Sequence, residues 1–316
     1  MDSLTQFALG GTIAVAVAKQ PRVKYFLTGG LLATLPDLDI LIDHDSAIER
    51  ITAHRSFSHS LLVLLAVTPV LSYLLKGWLK EVRFQRLMVL VGLALTTHAV
   101  LDALTTYGTQ LFWPLVFAGS SVSIGSVFII DLFYSIWLLI AAILVFFKRI
   151  SIERRLQITH WALGISSAYL LLGLVAQQVL LNKVEAQYPG YEAKVVSAPW
   201  AMRNWRVVLK KDNEHISGCM NFERDGVREF YRGQLNHHLM ESSEISRYSH
   251  FSGHWYRLGR EGDDLVLSDL RMGFGAWSAF RFKVGEYQQN QLVPVVSQRI
   301  PSTRPSFSEL PLTCWD

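Results

Sequence analysis

The 316-residue sequence predicts a membrane α-helical bundle of about six hydrophobic segments, residues 1–182, followed by a soluble, mostly antiparallel β domain, residues 183–316. Three observations carry this expectation. Half of the residues are hydrophobic and the mean hydropathy is +0.25, which is too apolar for an ordinary soluble chain. The apolar residues are gathered into blocks separated by short basic clusters. After Asn182 the blocks stop, and short alternating runs punctuated by turn residues take over.

The first block, 4–18, is rich in Gly and Ala. It is shorter than the about 20 residues of an upright span, which predicts a short, tilted or re-entrant helix. Lys19, Arg22 and Lys24 follow, with Pro21 as a helix breaker between them. A second block, 25–35, carries Gly29-Gly30 and runs into Pro36-Asp37-Leu38-Asp39. A polar loop, 43–60, leads to a third block, 61–75, which is interrupted by Pro69 and closed by Lys76, Lys80, Arg83 and Arg86. The fourth block, 87–104, carries His98 and Asp102 within an otherwise apolar run. A loop of Gly, Ser and aromatic residues, 107–126, precedes the fifth block, 127–147, with Asp131 near its start. Lys148, Arg149, Arg154 and Arg155 separate it from the sixth, 158–181.

The charges bear on topology. Before Asn182, only Arg50 and Arg55 among the basic residues lie outside the clusters around Arg22, Arg83 and Arg154, and only Glu81 and Glu153 among the acids lie within them. The positive-inside rule makes those clusters cytoplasmic. Six crossings then put the N-terminus, the His54 loop, the Tyr107 loop and the C-terminal domain on the outer, extracytoplasmic side of the membrane. The net charge of +4 and pI near 9.0 reflect orientation clusters rather than a nucleic-acid face, so no nucleic-acid partner is expected. Met1-Asp2-Ser3 lacks a basic n-region and Gly10-Gly11 breaks the apolar run after it, so no cleavable signal peptide is expected.

Chemistry-bearing residues concentrate at the predicted outer face. Asp37 and Asp39 are followed by His54-Arg55-Ser56-Phe57-Ser58-His59-Ser60, and His98 and Asp102 stand one helical turn apart on one face. Carboxylates and imidazoles suit zinc or another divalent ion, and an arginine among them can clamp a phosphate or carboxylate oxyanion. An Asp at the centre of a membrane helix is unfavourable by about 2.5–3.5 kcal/mol on insertion scales, which marks His98 and Asp102 as functional by default. The competing reading is a transporter or scaffold in which His98 and Asp102 relay protons or hydrogen-bond within the bundle. His44, flanked by Asp43 and Asp45, either extends the cluster or, the favoured reading, is a solvated loop residue. His160 falls on the cytoplasmic side, and His215, His237, His238, His250 and His254 show no ligand spacing.

The opening Met1-Asp2-Ser3-Leu4-Thr5-Gln6, the Leu35-to-Asp39 motif, the His54-to-Ser60 motif and the run from His98 through Thr106-Tyr107-Gly108-Thr109-Gln110-Leu111-Phe112-Trp113-Pro114 resemble the bacterial membrane-bound metal-dependent hydrolases. That family is also described as LexA-binding, inner-membrane-associated hydrolases. More distantly, an Asp, then a His one loop later, then His-x-x-x-Asp is similar to the ligand pattern of zinc-dependent phospholipases C, which cleave phosphate esters with a zinc cluster. The resemblance implies Asp39, His54, His59, His98 and Asp102 as metal ligands, Arg55 and Asp37 as catalytic groups, with Asp37 either a bridging ligand or a cap at the helix end, and Asp2, Gln6 and Asp131 as further ligands or orienting residues. Gln6 departs from a family pattern with His at that place, which leaves the N-terminal ligand in doubt. The implied cofactor is zinc, with two or more ions, or alternatively manganese. The implied activity is hydrolysis, by a metal-activated water, of a phosphoester carried by a membrane lipid or lipid-linked molecule.

Beyond Ala193, strands are expected over 194–197, 205–209, 219–222, 255–258, 265–270, 279–284 and 292–296, with turns at Asp212-Asn213, Asp225-Gly226 and 261–264. Cys219 and Cys314 are the only cysteines, and on this topology both lie in an oxidising compartment, so a disulfide between them is expected.

Overall fold

The computed structural model describes residues 1–115, 121–147, 149–199, 204–223, 226–289 and 291–302. Asp2 caps α1 (Ser3–Ala18) by accepting from the Thr5 N–H at 2.9 Å, and the helix closes at Lys19 in the left-handed region. A short turn lets α2 (Val23–Thr34) pack back along α1. The two backbones nearly touch: a Cβ on Gly10 would lie 2.4 Å from the Gly29 carbonyl oxygen, and one on Gly29 2.2 Å from that of Gly10. Only glycine permits this approach. Pro36 opens the 3-10 helix Pro36–Leu41, which turns the chain away from α2.

Ser46 caps α3 (Ala47–Ala53) through the Glu49 N–H, and a second 3-10 helix, Phe57–His59, leads into α4 (Leu61–Leu75). The buried spine is α5 (Phe84–Ala103), whose Leu87, Leu90, Val91 and Ala94 pack with Val15, Tyr25 and Phe26 of the α1–α2 hairpin. Asp131 caps α6 (Leu132–Val145), and Ser151 caps α7 (Ile152–Gln187).

This architecture corrects the expected six-crossing bundle. Among the described residues, only Phe84–Ala103 and Ile152–Gln187 are long and apolar enough to cross a membrane. The bent pair Ala47–His59 and Leu61–Leu75, with 51° between its parts, makes a third when read as one broken span. The reason is length. At 1.5 Å per residue, the 16 residues of α1, 14 of α6 and 12 of α2 reach about 24, 21 and 18 Å, short of a hydrocarbon core of about 30 Å. Their apolarity serves protein contacts too: Ala8, Leu9 and Ile13 of α1 pack with Leu101 of α5 and with Tyr134 and Leu138 of α6. The assignment of sides from the basic clusters needed six crossings and has no basis without them.

The C-terminal half is antiparallel, as the alternating runs predict. One sheet has the order β1 (Glu192–Ser197), β2 (Asn204–Lys211), β3 (Glu214–Asn221), β4 (Arg228–Gln234). After α8 (Ser243–Ser252) comes a second sheet of β5 (Tyr256–Glu261), β6 (Asp264–Asp269), β9 (Arg281–Gln288) and β10 (Gln291–Arg299). Between β6 and β9 the short strands β7 (Gly273–Phe274) and β8 (Trp277–Ser278) pair with each other. The β2–β3 turn runs through Asp212 at φ 51° and the β5–β6 turn through Gly262 at φ 60°. Cys314, the expected partner of Cys219, lies outside the described residues.

The halves are joined covalently and by packing. Helix α7 continues past residue 182, and its Leu180 and Val184 are buried with Val195, Trp205, Val207 and Ile216. On the other side Ile48 of α3 donates its N–H to Ser297 Oγ of β10 at 2.9 Å and packs with Tyr248, Phe251 and Phe282.

Candidate metal centre

Four elements bring the polar residues together. In the 3-10 helix Pro36–Leu41, Asp39 is buried and Asp37 half-buried, whereas Leu38, Ile40 and Leu41 between and beyond them are exposed. Helix α3 ends at His54, and Arg55 then adopts φ 63°, a left-handed conformation that is uncommon outside glycine. That turn redirects the chain so that His59 enters the interior, 0% exposed. Helix α5 presents His98 and Asp102 from the same face, both 0% exposed.

Asp37, His59, His98 and Asp102 form a compact donor group whose ligand atoms all lie within 4.8 Å of one another. His59 Nε2 and His98 Nε2 are 3.0 Å apart. Each lies 3.4 Å from Asp37 Oδ1, and they stand 3.4 and 3.5 Å from Asp102 Oδ2. A zinc ion with bonds of about 2.05 Å has tetrahedral ligand edges of about 3.3 Å, so the spacing suits one such ion. Asp37 Oδ1 and Asp102 Oδ2, the carboxylate oxygens that face this point, are buried and accept no hydrogen bond of good geometry, although Asp102 Oδ2 has the Arg55 Nε 3.0 Å away. Orphaned acceptors of this kind call for a cation or a bound donor.

The surrounding hydrogen bonds fix which atoms point inward. Asp39 accepts from the Arg55 N–H at 2.9 Å and from the Ser58 hydroxyl, and its other oxygen lies 2.7 Å from His54 Nδ1. An ionised carboxylate only accepts, so Ser58 must donate to Asp39 and is left to accept from His59 Nδ1–H at 2.9 Å. In the neutral imidazole this puts the lone pair of His59 on Nε2, toward the donor group. Burial pushes the Asp37 carboxyl up, but the neighbouring His59 and His98 more than offset this and hold it well below the ordinary carboxylate range.

Asp102 is oriented from its other side. Its Oδ1 accepts from Gln6 Nε2 at 3.1 Å and from the Met1 α-amino group. The Arg55 Nε lies 3.0 Å from Asp102 Oδ2, and the guanidinium stacks over Tyr107 at 4.9 Å. Arg55 is 5% exposed, and its Nη1 has no hydrogen-bond partner.

Of the residues singled out in the sequence, the donor group therefore takes His59, His98 and Asp102, together with Asp37, expected as a catalytic group or bridging ligand. Asp39 and His54 stand one layer out, with Asp39 spent on orienting its neighbours. Asp2 is a helix cap. Asp131, which is not in the donor group, caps α6 through Phe133 and Tyr134 and accepts from the Tyr169 hydroxyl at 2.8 Å, which ties α6 to α7. Gln6 contributes an amide donor to Asp102 in place of a ligand. Ser58 and Tyr107 were missed as neighbours of the centre. Ser58 was legible in one respect, since a hydroxyl immediately before a candidate histidine ligand is placed to hold its second nitrogen.

Residues 1–180, more than half of the chain and the whole of the donor group, match the YdjM inner membrane protein family. The chain belongs to that family. Two relatives of this YdjM-family chain are similar to it over parts of their length. The uncharacterized protein YfhP of Bacillus subtilis is 28% identical over 211 residues, 64% of this chain and 62% of that protein. The inner membrane protein YbcI of Escherichia coli is 30% identical over 94 residues, 29% of this chain and 53% of that protein. The chain thus spans less than two thirds of the length of either relative. YdjM membership is consistent with the resemblance to LexA-binding inner-membrane proteins. No solved structure matches, so the distant likeness to zinc-dependent phospholipases C gains no support.

Proposed function

We propose that this protein is an inner-membrane, divalent-metal-dependent hydrolase of phosphoesters. One observation supports the reading above the rest: two imidazole nitrogens and two carboxylate oxygens, from three separate segments, converge within 4.8 Å, and the edges that involve the imidazoles, 3.0–3.5 Å, match those of a tetrahedral zinc ion. Asp37, His59, His98 and Asp102 would hold a single ion, with zinc preferred over manganese because half of the donors are imidazole. Such an ion would supply Lewis acidity, and it would lower the pKa of a bound water where the half-buried Asp37 yields its place or the ion expands to five ligands. Arg55 holds a positive charge beside the centre with an unpartnered Nη1, suited to a phosphoryl oxygen. Asp37 is the most exposed member of the group, at 24%, and lies on the side from which a substrate would reach the ion.

A second reading rests on charge. The Arg55 guanidinium and the Met1 α-amino group adjoin Asp102, so the cluster has cationic partners without an ion and fits a structural or proton-relaying role in a transporter or scaffold. Elemental analysis of protein purified without chelator separates the two. The hydrolase reading expects about one zinc per chain, phosphate release from a phosphomonoester or diester that chelation abolishes and zinc restores, and loss of both metal and turnover in His98→Ala. Protein that neither carries zinc nor takes it up on addition overturns it.

A further inference from the structure

The rim of the metal centre is apolar where the rim of a site for a water-borne anion would be polar. Within the donor group His59, His98 and Asp102 are sealed, and the Asp37 carboxylate, 24% exposed, is the way in. On the same 3-10 helix Leu38, Ile40 and Leu41 are 54, 65 and 76% exposed, and Ile42 follows at 45%. Phe57, on the 3-10 helix that delivers His59, adds 43% and packs edge-to-face against Trp113. The backbone of 36–41 is a single 3-10 helix with water-seeking groups at its ends, so it does not belong in the hydrocarbon core. The 3-10 helix 36–41 packs beside the one at Phe57–His59, which leads into exposed Leu62 and Leu65 of α4, part of the bent candidate span, and its apolar run ends at exposed, acidic Asp43. Contiguous exposed apolar side chains that run from a membrane helix to a polar stop mark insertion at the headgroup level.

We propose that the 3-10 helix Pro36–Leu41 lies in the bilayer interface with Leu38, Ile40 and Leu41 among the upper acyl carbons, so that the ligand reaching Asp37 is a phosphate-bearing membrane lipid that enters sideways from the bilayer. The substrate half of this statement rests on the hydrolase reading; the placement of the helix does not. The inward acids and outward aliphatics of one short helix then have a common purpose. Asp37 marks the metal centre that the headgroup reaches, and Leu38, Ile40 and Leu41 lie among the tails.

The test uses the full-length protein in vesicles of phosphatidylethanolamine and phosphatidylglycerol, with the photo-crosslinking residue benzoylphenylalanine in place of Leu41. Illumination is expected to yield lipid adducts by mass spectrometry, as at the reference position Leu65 on α4, and none at the exposed turn residue Asp263. Adducts at 65 but none at 41 overturn the proposal. A second arm compares Leu41→Glu with the unsubstituted protein on a phospholipid in the bilayer and on a water-soluble phosphodiester. The ratio of the two rates is expected to fall about tenfold, the scale of moving one leucine side chain between water and an apolar medium. An unchanged ratio, with both substrates turned over, overturns lateral entry. Adducts at 41 with no turnover of either substrate uphold the placement of the helix and count against the hydrolase reading alone.

Discussion

Replacing Ser58 by alanine isolates one link in the chain that aims His59 at the centre. The Ser58 hydroxyl lies 2.9 Å from His59 Nδ1 and donates to Asp39. The direct gap from Asp39 to His59 Nδ1 is 3.8 Å, too long for the carboxylate to take over without a backbone shift. Ser58→Ala therefore leaves the Nδ1–H unpaired and frees the imidazole to exchange tautomers, so that Nε2 is protonated part of the time. Loss of a group that orients a metal-bound histidine weakens metal binding about 10- to 100-fold, or about 1.4–2.7 kcal/mol. Competition for zinc against a chromophoric chelator in detergent measures this directly. Ser60→Ala is the matched control, because the Ser60 hydroxyl donates to the Trp113 carbonyl at 2.6 Å and its loss removes a neighbouring serine whose bond leads away from the imidazole. Zinc affinity in Ser58→Ala within about twofold of the unsubstituted protein would refute the orienting role.

Other expectations follow from features outside that link. Asp37→Asn keeps the shape but removes a ligand charge; zinc binding should weaken by more than in Ser58→Ala, and equal affinities by the same titration would remove Asp37 from the donor set. Gly29→Ala places a Cβ 2.2 Å from the Gly10 carbonyl oxygen and should destabilise the α1–α2 hairpin by about 1–3 kcal/mol, seen as a lower melting temperature in detergent, whereas Gly77→Ala, with open space around it, should not. His215 is 0% exposed in β3 with both ring nitrogens unpartnered, and burial lowers its pKa from 6.5 to about 4. The unfolded chain therefore binds the proton first as pH falls: stability is level above 6.5 and declines between 6.5 and about 4, by about 3 kcal/mol at most. An NMR titration of His215 with a midpoint near 6.5 would contradict this. Arg247→Ala breaks a 2.9 Å pair with Glu49 between half-exposed side chains and should cost no more than about 1 kcal/mol in the same melting assay.

The parts of the architecture that were legible in the sequence share a physical basis. The β domain could be read because strand alternation and turn residues are local signals; Asp212-Asn213 and residues 261–264 mark hairpins where the structure has them. Strand β4 went unread because Arg228–Gln234 is a largely exposed edge strand with no buried face to impose a pattern, and α8 because only its Ser242 cap and a narrow buried stripe of Ile245, Tyr248 and Phe251 distinguish it. The number of spans was misjudged for a different reason. Hydropathy does not distinguish a helix that faces lipid from one such as α1, whose Ala14 and Val15 are 0% exposed inside protein. At the centre, residue types and the His98–Asp102 spacing were readable because helix geometry is fixed, whereas the exchange of roles between Asp37 and Asp39 was not. Both sit on one 3-10 helix, and which carboxylate faces the imidazoles depends on how Pro36 tilts that helix against α5.

Helix α7 carries a consequence for how the two halves communicate. Its 36 residues run without a break from the Ser151 cap, through Tyr169 where it is tied to Asp131, to Leu180 and Val184 in the interior of the first sheet. A continuous rod of this kind leaves no pivot between anchor and headpiece, so torque on one end is delivered to the other. Adding a single residue near Gly173 would swing the β sheets by about 100° around the rod and advance them about 1.5 Å. The bond of Gln177 Nε2 to the Ile124 carbonyl, 2.6 Å, and the seam of Ile48 on Ser297 would then fall out of step together. Register along α7, rather than any linker, sets where the headpiece stands over the centre.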